Sequence, residues 1–283
     1  MASGESPSAH GDGLIHLRFS VDRSRRTFLA QRRARFPLRT TVPFHLDPAD
    51  PSIAFCYVQN PTGGVFAGDR LVQSIILDAG ARAHVTTQSA TKLCDMDGGE
   101  ARQDITIELG DGACLELIPD PIIPQAGSSF AQRTLVRVGR GSMLLASEIV
   151  HPGRRAFGER YGFERLSLSL SVEGPSGLLC ADTLRLEPNR RSPRQRGVCG
   201  DREYLCSFFV IAPEHPGEAL ASRLEGPLFA DHEWAAAGVL PNGAGAHARI
   251  LARSALDVSR AQLAVWEAAR RETLGLPLPP RRK

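Results

Sequence analysis

The chain has 283 residues, enough to bury a sizeable core in one large domain or two small ones. Its 34 basic residues barely exceed its 31 acidic ones, and a formal net charge of +3 exerts no strong pull toward nucleic acid or a membrane surface. With no apolar run of about 18 residues and no signal-like segment, a cytoplasmic protein is expected, its six scattered cysteines free and mostly buried.

Residues 1–13 are polar and small and are expected to be disordered ahead of a single β-rich domain over 14–283. From about residue 14 to 210 the apolar residues alternate with polar ones, as on strands whose side chains point to opposite faces. Leu166-Ser-Leu-Ser-Leu-Ser-Val172 is the clearest case. Ile105-Thr-Ile-Glu-Leu109 stops at Gly110-Asp-Gly112 and resumes as Cys114-Leu-Glu-Leu117, which predicts a hairpin or a tight strand-to-strand corner. Glycine turns followed by apolar strands recur at Gly80, Gly112, Gly141 and Gly177, roughly 30 residues apart, as successive layers of a β-solenoid or wound sandwich would place them. The fold class is therefore mainly β, a layered and wound sheet with a few helices.

Two arginine-heavy segments, 23–35 and 190–196, fit solvated loops or a surface for acidic protein partners. The proline, arginine and glycine of 188–200 interrupt the strands as a loop. Ser254, with an acid at Asp257, starts a helix predicted over about 255–273, with Leu256, Leu263 and Trp266 facing the sheet and Gly275 and Pro277 ending it.

Asn60-Pro-Thr-Gly-Gly-Val-Phe-Ala-Gly-Asp-Arg-Leu71 has the Gly63–Gly68 spacing of a phosphate loop but continues with Asp69 and Arg70. The lysine and hydroxyl that would hold phosphate and Mg²⁺ are missing, and a carboxylate repels the anion. No nucleophile elbow or His-Glu-x-x-His zinc motif is present. His84, Cys94, Asp95 and Asp97 offer at most a loose nickel or zinc site against a background of ordinary loop polarity. Glu148 and Glu159 flank the turn His151-Pro-Gly-Arg154, which leaves open a carbohydrate-active hydrolase working with paired carboxylates.

Four polar clusters stand in one order along the chain: residues 60–71, Thr86-Thr-Gln-Ser-Ala-Thr-Lys92, Ile118-Pro-Asp-Pro-Ile-Ile-Pro124, and Gly153-Arg-Arg-Ala-Phe-Gly-Glu159. Together they resemble the urease accessory protein UreD family, called UreH in some organisms. The sequence departs from the family pattern at Ala67, at Cys94 with Asp95, and at Gln125.

The resemblance implies a non-enzymatic cytosolic chaperone, mostly β and wound in layers. It would bind UreF and, through it, the GTPase UreG on the urease apoprotein, with no nucleic acid or membrane partner. It also implies an internal passage for Ni²⁺, held transiently, with no permanent cofactor. In that picture Asn60, Gly63, Gly64 and Gly68 shape a loop, and Asp69, Asp120, Glu148 and Glu159 set the field along the route. Arg70, Lys92 and Arg154 hold those carboxylates, Thr86, Thr87 and Gln88 supply neutral oxygens, and the helical end docks UreF.

Overall fold

The computed structural model describes residues 12–231 and 234–280. β1 (Asp12–Val21) and β2 (Thr27–Arg35) form an antiparallel pair in a first sheet, and β3 (Arg39–Thr40) and β4 (Ala54–Gln59) form one in a second. The chain then alternates between the sheets. β5 (Arg70–Leu77), β8 (Ala101–Leu109), β11 (Ser129–Val138) and β13 (Arg165–Gly174) enter the first. β6 (Arg82–Thr87), β9 (Cys114–Leu117) and β12 (Met143–Val150) enter the second, with the short β7 (Thr91–Leu93) and β10 (Ile122–Pro124) attached beyond. β14 (Gly177–Leu186) closes the first sheet, and β15 (Tyr204–Ile211), β16 (Ala235–Leu240) and β17 (Gly245–Ala252) extend the second. Two helices, α1 (Gly217–Asp231) and α2 (Ala255–Leu274), follow β15 and β17.

Each turn of the winding adds one strand to each sheet in parallel register. Leu17, Ile75, Ile107, Val136 and Val172 therefore fall in one row across β1, β5, β8, β11 and β13, all fully buried between the sheets. The expected glycine repeat holds at three positions. Gly80, Gly112 and Gly141 take φ of 71°, 65° and 60° at the corners where the chain leaves the first sheet for the second. Of the two options for 110–112, the corner is the one realised. Gly177 breaks the series, because it turns β13 back on β14 as an antiparallel neighbour in the same sheet.

The second sheet is covered on both faces, by the first sheet and by the helices, so β15 is buried at every residue. α2 starts at Ser254, whose hydroxyl accepts from Asp257 N, and ends at Gly275 with φ 68°. Its buried stripe is Val258, Ala261, Gln262, Val265, Trp266, Ala269 and Arg270. Leu256, expected on that stripe, is 57% exposed, because two residues before Val258 a helix has turned about 200° to its opposite side. β1 begins at Asp12, so 12 and 13 are strand; the rest of the expected disordered segment, 1–11, lies outside the described residues. No described helix is long and apolar enough to cross a membrane.

Candidate functional site

Three of the four polar clusters are tied together by backbone hydrogen bonds at β7. Ile122, Ile123 and Pro124 pair in parallel with Thr91, Lys92 and Leu93, and Val65 bridges Leu93 from the other side. The 60–71 loop is organised by Asn60, whose side-chain oxygen accepts from Thr62 N and Oγ1 while its amide donates to Gly64 O at 2.9 Å. Gly64 has no room for a side chain: a Cβ there would stand 2.5 Å from Cys94 Sγ and 3.2 Å from Lys92 O. Thr86 Oγ1 donates to Ile118 O at 2.7 Å, and Thr87 Oγ1 accepts from Asp120 N at 2.8 Å, which fastens the second cluster to the third.

Behind these loops a cavity of about 150 Å³ runs between the two sheets. Gln88, Ser89 and Lys92 are exposed and belong to its wall, so the loops form its mouth. Deeper in, the wall is apolar at Leu71, Val85, Ile105, Leu144 and Phe209, but polar at Gln73, Gln103, Gln132, Thr134 and Glu148. These polar residues occupy strand positions whose neighbours two residues away are core, so they break the inward apolar parity. That parity break is the signal by which the sequence betrays Gln73, Gln103, Gln132 and Thr134, which motif reading alone passed over.

Glu148, on β12, is the carboxylate of the inner cavity. Gln132 Nε2, from the opposite sheet, donates to its Oε1 at 2.7 Å, and Gln103 Nε2 donates to Gln132 Oε1 at 3.3 Å. A chain of hydrogen bonds thus spans the gap between the sheets. Burial pushes the Glu148 carboxyl up to about 7, Asp182 adds to the rise, and Arg249 and the Gln132 hydrogen bond oppose it. Asp182 is itself held by Arg249, whose Nη2 lies 2.9 and 3.1 Å from its two oxygens. At neutral pH Glu148 is poised between a neutral acid and a carboxylate able to attract a cation.

The remaining sequence-derived residues divide clearly. Asn60, Gly63, Gly64, Thr86, Thr87, Gln88, Lys92, Asp120 and Glu148 line the cavity; Gly68, Asp69, Arg70, Arg154 and Glu159 are not in its lining. Asp69 Oδ2 accepts from Phe66 N at 2.9 Å and closes its own turn, Gly68 supports that turn with φ 81°, and Arg70 is exposed at the start of β5. Arg154 pairs with Glu159, not with Glu148, its Nε lying 3.0 Å from Glu159 Oε2, and this holds the Glu159 carboxyl below its usual value. Glu148 and Glu159 are thus not brought together in the cavity.

Nor do His84, Cys94, Asp95 and Asp97 gather. His84 points to the helix side of β6, stacked between Phe55 and Trp266, whereas Cys94 packs on Gly64 and Asp95 Oδ1 accepts from Asp97 N. No group of three or more His, Cys, Asp and Glu suited to a metal ion occurs among the described residues. Alternation along β6, which turns His84 to the helix side, and the intervening β7 separate what the sequence spacing placed close.

A second buried polar cluster lies under α2. Arg270, fully buried, donates to Glu116 at 2.9 and 3.1 Å and to Asp47, and Trp266 Nε1 donates to Glu116 Oε2 at 2.7 Å. Gln262 Nε2 reaches Ser147 Oγ at 2.6 Å. Every charge is paired, so these groups fasten the helix to β9, β12 and the 41–53 loop.

The family model for UreD urease accessory protein matches residues 11–283. The chain is 38% identical over 249 residues to urease accessory protein UreD of Haloarcula marismortui, covering 86% of this chain and 83% of that protein. It is 35% identical over 274 residues to urease accessory protein UreD 2 of Streptomyces griseus, covering 96% and 93%, and 35% identical over 263 residues to the UreD of Mycolicibacterium gilvum, covering 93% and 95%. With four ordered motifs, three of them joined at one cavity mouth, and a match over nearly its whole length, the chain belongs to the UreD urease accessory protein family.

Proposed function

We propose that this protein acts in urease maturation as a non-catalytic scaffold and conduit. It binds UreF and, through it, UreG on urease apoprotein, and passes Ni²⁺ along its inter-sheet cavity toward the urease active site. The observation that carries the reading is the polar wall inside an otherwise apolar core: Gln73, Gln103, Gln132, Thr134 and Glu148 behind a mouth of motif loops. Buried polar groups are costly to keep, and an apolar core would be cheaper here. Neutral amide and hydroxyl oxygens with a single tunable carboxylate suit an ion that must enter and also leave. A tight cage of several charged ligands would instead retain it.

Glu148 supplies the one inner charge. As the carboxylate it attracts the cation, and as the neutral acid it releases it, with Gln132 fixing its orientation from the opposite sheet. Lys92 and Asp120 set opposing charges at the mouth. Glu148→Gln keeps the shape and removes the charge. Reconstituted urease activation with this variant is expected to fall about tenfold, with less nickel per urease and unchanged binding to UreF. Wild-type nickel loading by Glu148→Gln would refute the role given to the carboxylate.

A further inference from the structure

A second concave surface, sharing no lining residue with the cavity, lies where the 192–202 segment meets Trp234 and Arg253. We propose that it binds an acidic protein segment, its glutamate or aspartate side chains received by the arginines and an apolar residue laid on Trp234.

The concavity measures about 860 Å³ and is lined by Arg194, Arg196, Arg202 and Arg253, with Asp201 as the one acidic lining residue among the described residues. Asp201 is shared by Arg202 at 2.9 Å and Arg253 at 2.7 Å. Behind the wall, the mostly buried Glu203 lies 3.3 Å from Arg155, 3.6 Å from Arg160 and 4.0 Å from Arg194. Five arginines thus converge on two carboxylates. Each carboxylate orients the guanidinium groups beside it, which holds their positive charge in place. Arg196 has no ion pair among the described residues, although it lines the concavity.

Trp234 is 48% exposed, and the Arg202 guanidinium lies 4.4 Å from its ring centroid. An exposed tryptophan amid arginines is the composition of an interaction hot spot. Carboxylates bind such forked donors in bidentate fashion. A nucleic acid is the poorer occupant: among the described residues the wall offers a single aromatic platform, Asp201 opposes closely spaced phosphates, and the whole chain carries only +3.

The chain has two tryptophans, and Trp266 is only 1% exposed, so acrylamide quenching reads Trp234 almost alone. Titration of the full chain with a hexaglutamate peptide is expected to shield Trp234 saturably, with affinity falling about tenfold from low to moderate salt. Arg194→Glu with Arg196→Glu should weaken binding at least about tenfold while circular dichroism is unchanged, since both side chains are exposed. Calorimetry of Trp234→Phe checks that the peptide still binds when the optical signal is gone. Absence of saturable binding, equal affinity in the double variant, or tighter binding of a single-stranded oligonucleotide of the same charge would each overturn the proposal.

Discussion

Glu148 carries the most consequence of any single residue. Its carboxyl ordinarily titrates near 4.5 and is raised to about 7 in the fold. Below about pH 4.5 it is protonated in both folded and unfolded chains and costs nothing. As pH rises from there toward 7 only the unfolded chain releases the proton, so folding stability declines across that window and the penalty is complete above it. The full shift corresponds to at most about 3 kcal/mol. Glu148→Gln is therefore expected to be more stable than wild type at pH 8, by up to that amount, and equal to it near pH 4. Urea unfolding at the two pH values checks this, and an equal difference at both would contradict it.

Gly64 poses a steric question at the same scale. An alanine there meets Cys94 Sγ and Lys92 O, and forcing the contact is expected to cost on the order of 1–3 kcal/mol. Gly64→Ala with Cys94→Ala should recover part of that loss, because the sulfur is removed while the carbonyl remains. A strictly additive double-variant cycle in thermal unfolding would show that the two residues do not touch.

At the scale of elements, α2 was legible in the sequence because its signals are local: a Ser cap, an acid three residues on, and a glycine after the last turn. Its docking was not, since Arg270 meets Asp47 and Glu116 from 223 and 154 residues away. No window of sequence shows such a partnership. Arg270→Met would leave two buried carboxylates without their cation and is expected to destabilise the protein by about 3–5 kcal/mol. Ser254→Ala removes one cap and should cost about 1 kcal/mol. Chemical denaturation of the two variants checks the ranking, and equal losses would contradict the account of how the helix is held. α1 escaped the sequence reading because Gly226 and Pro227 interrupt it, although Leu220, Leu224 and Leu228 repeat at four-residue spacing on its buried side.

For the molecule as a whole, alternation revealed strands but not their partners. Leu166, Leu168, Leu170 and Val172 announce one buried face, yet nothing in them says that β13 pairs in parallel with β11, a strand separated from it by a complete excursion through the second sheet. The glycine corners hinted at this winding through their spacing. The cavity was half legible: its mouth lies in the motif loops, while its inner wall shows only as polar residues at core parity, a pattern that also fits ordinary surface positions until the sheets are assembled.

In the proposed function an ion travels through the space between the sheets. Ala146 lies on its wall, facing the first sheet, and Ala146→Phe fills part of that space without altering the motif loops or the surface. The most direct measurement is nickel per urease active site after reconstitution with wild-type or Ala146→Phe protein, each first shown to be folded and to co-purify with UreF and apo-urease. A conduit predicts wild-type assembly with nickel content reduced several-fold, whereas full nickel loading through the filled cavity would contradict it.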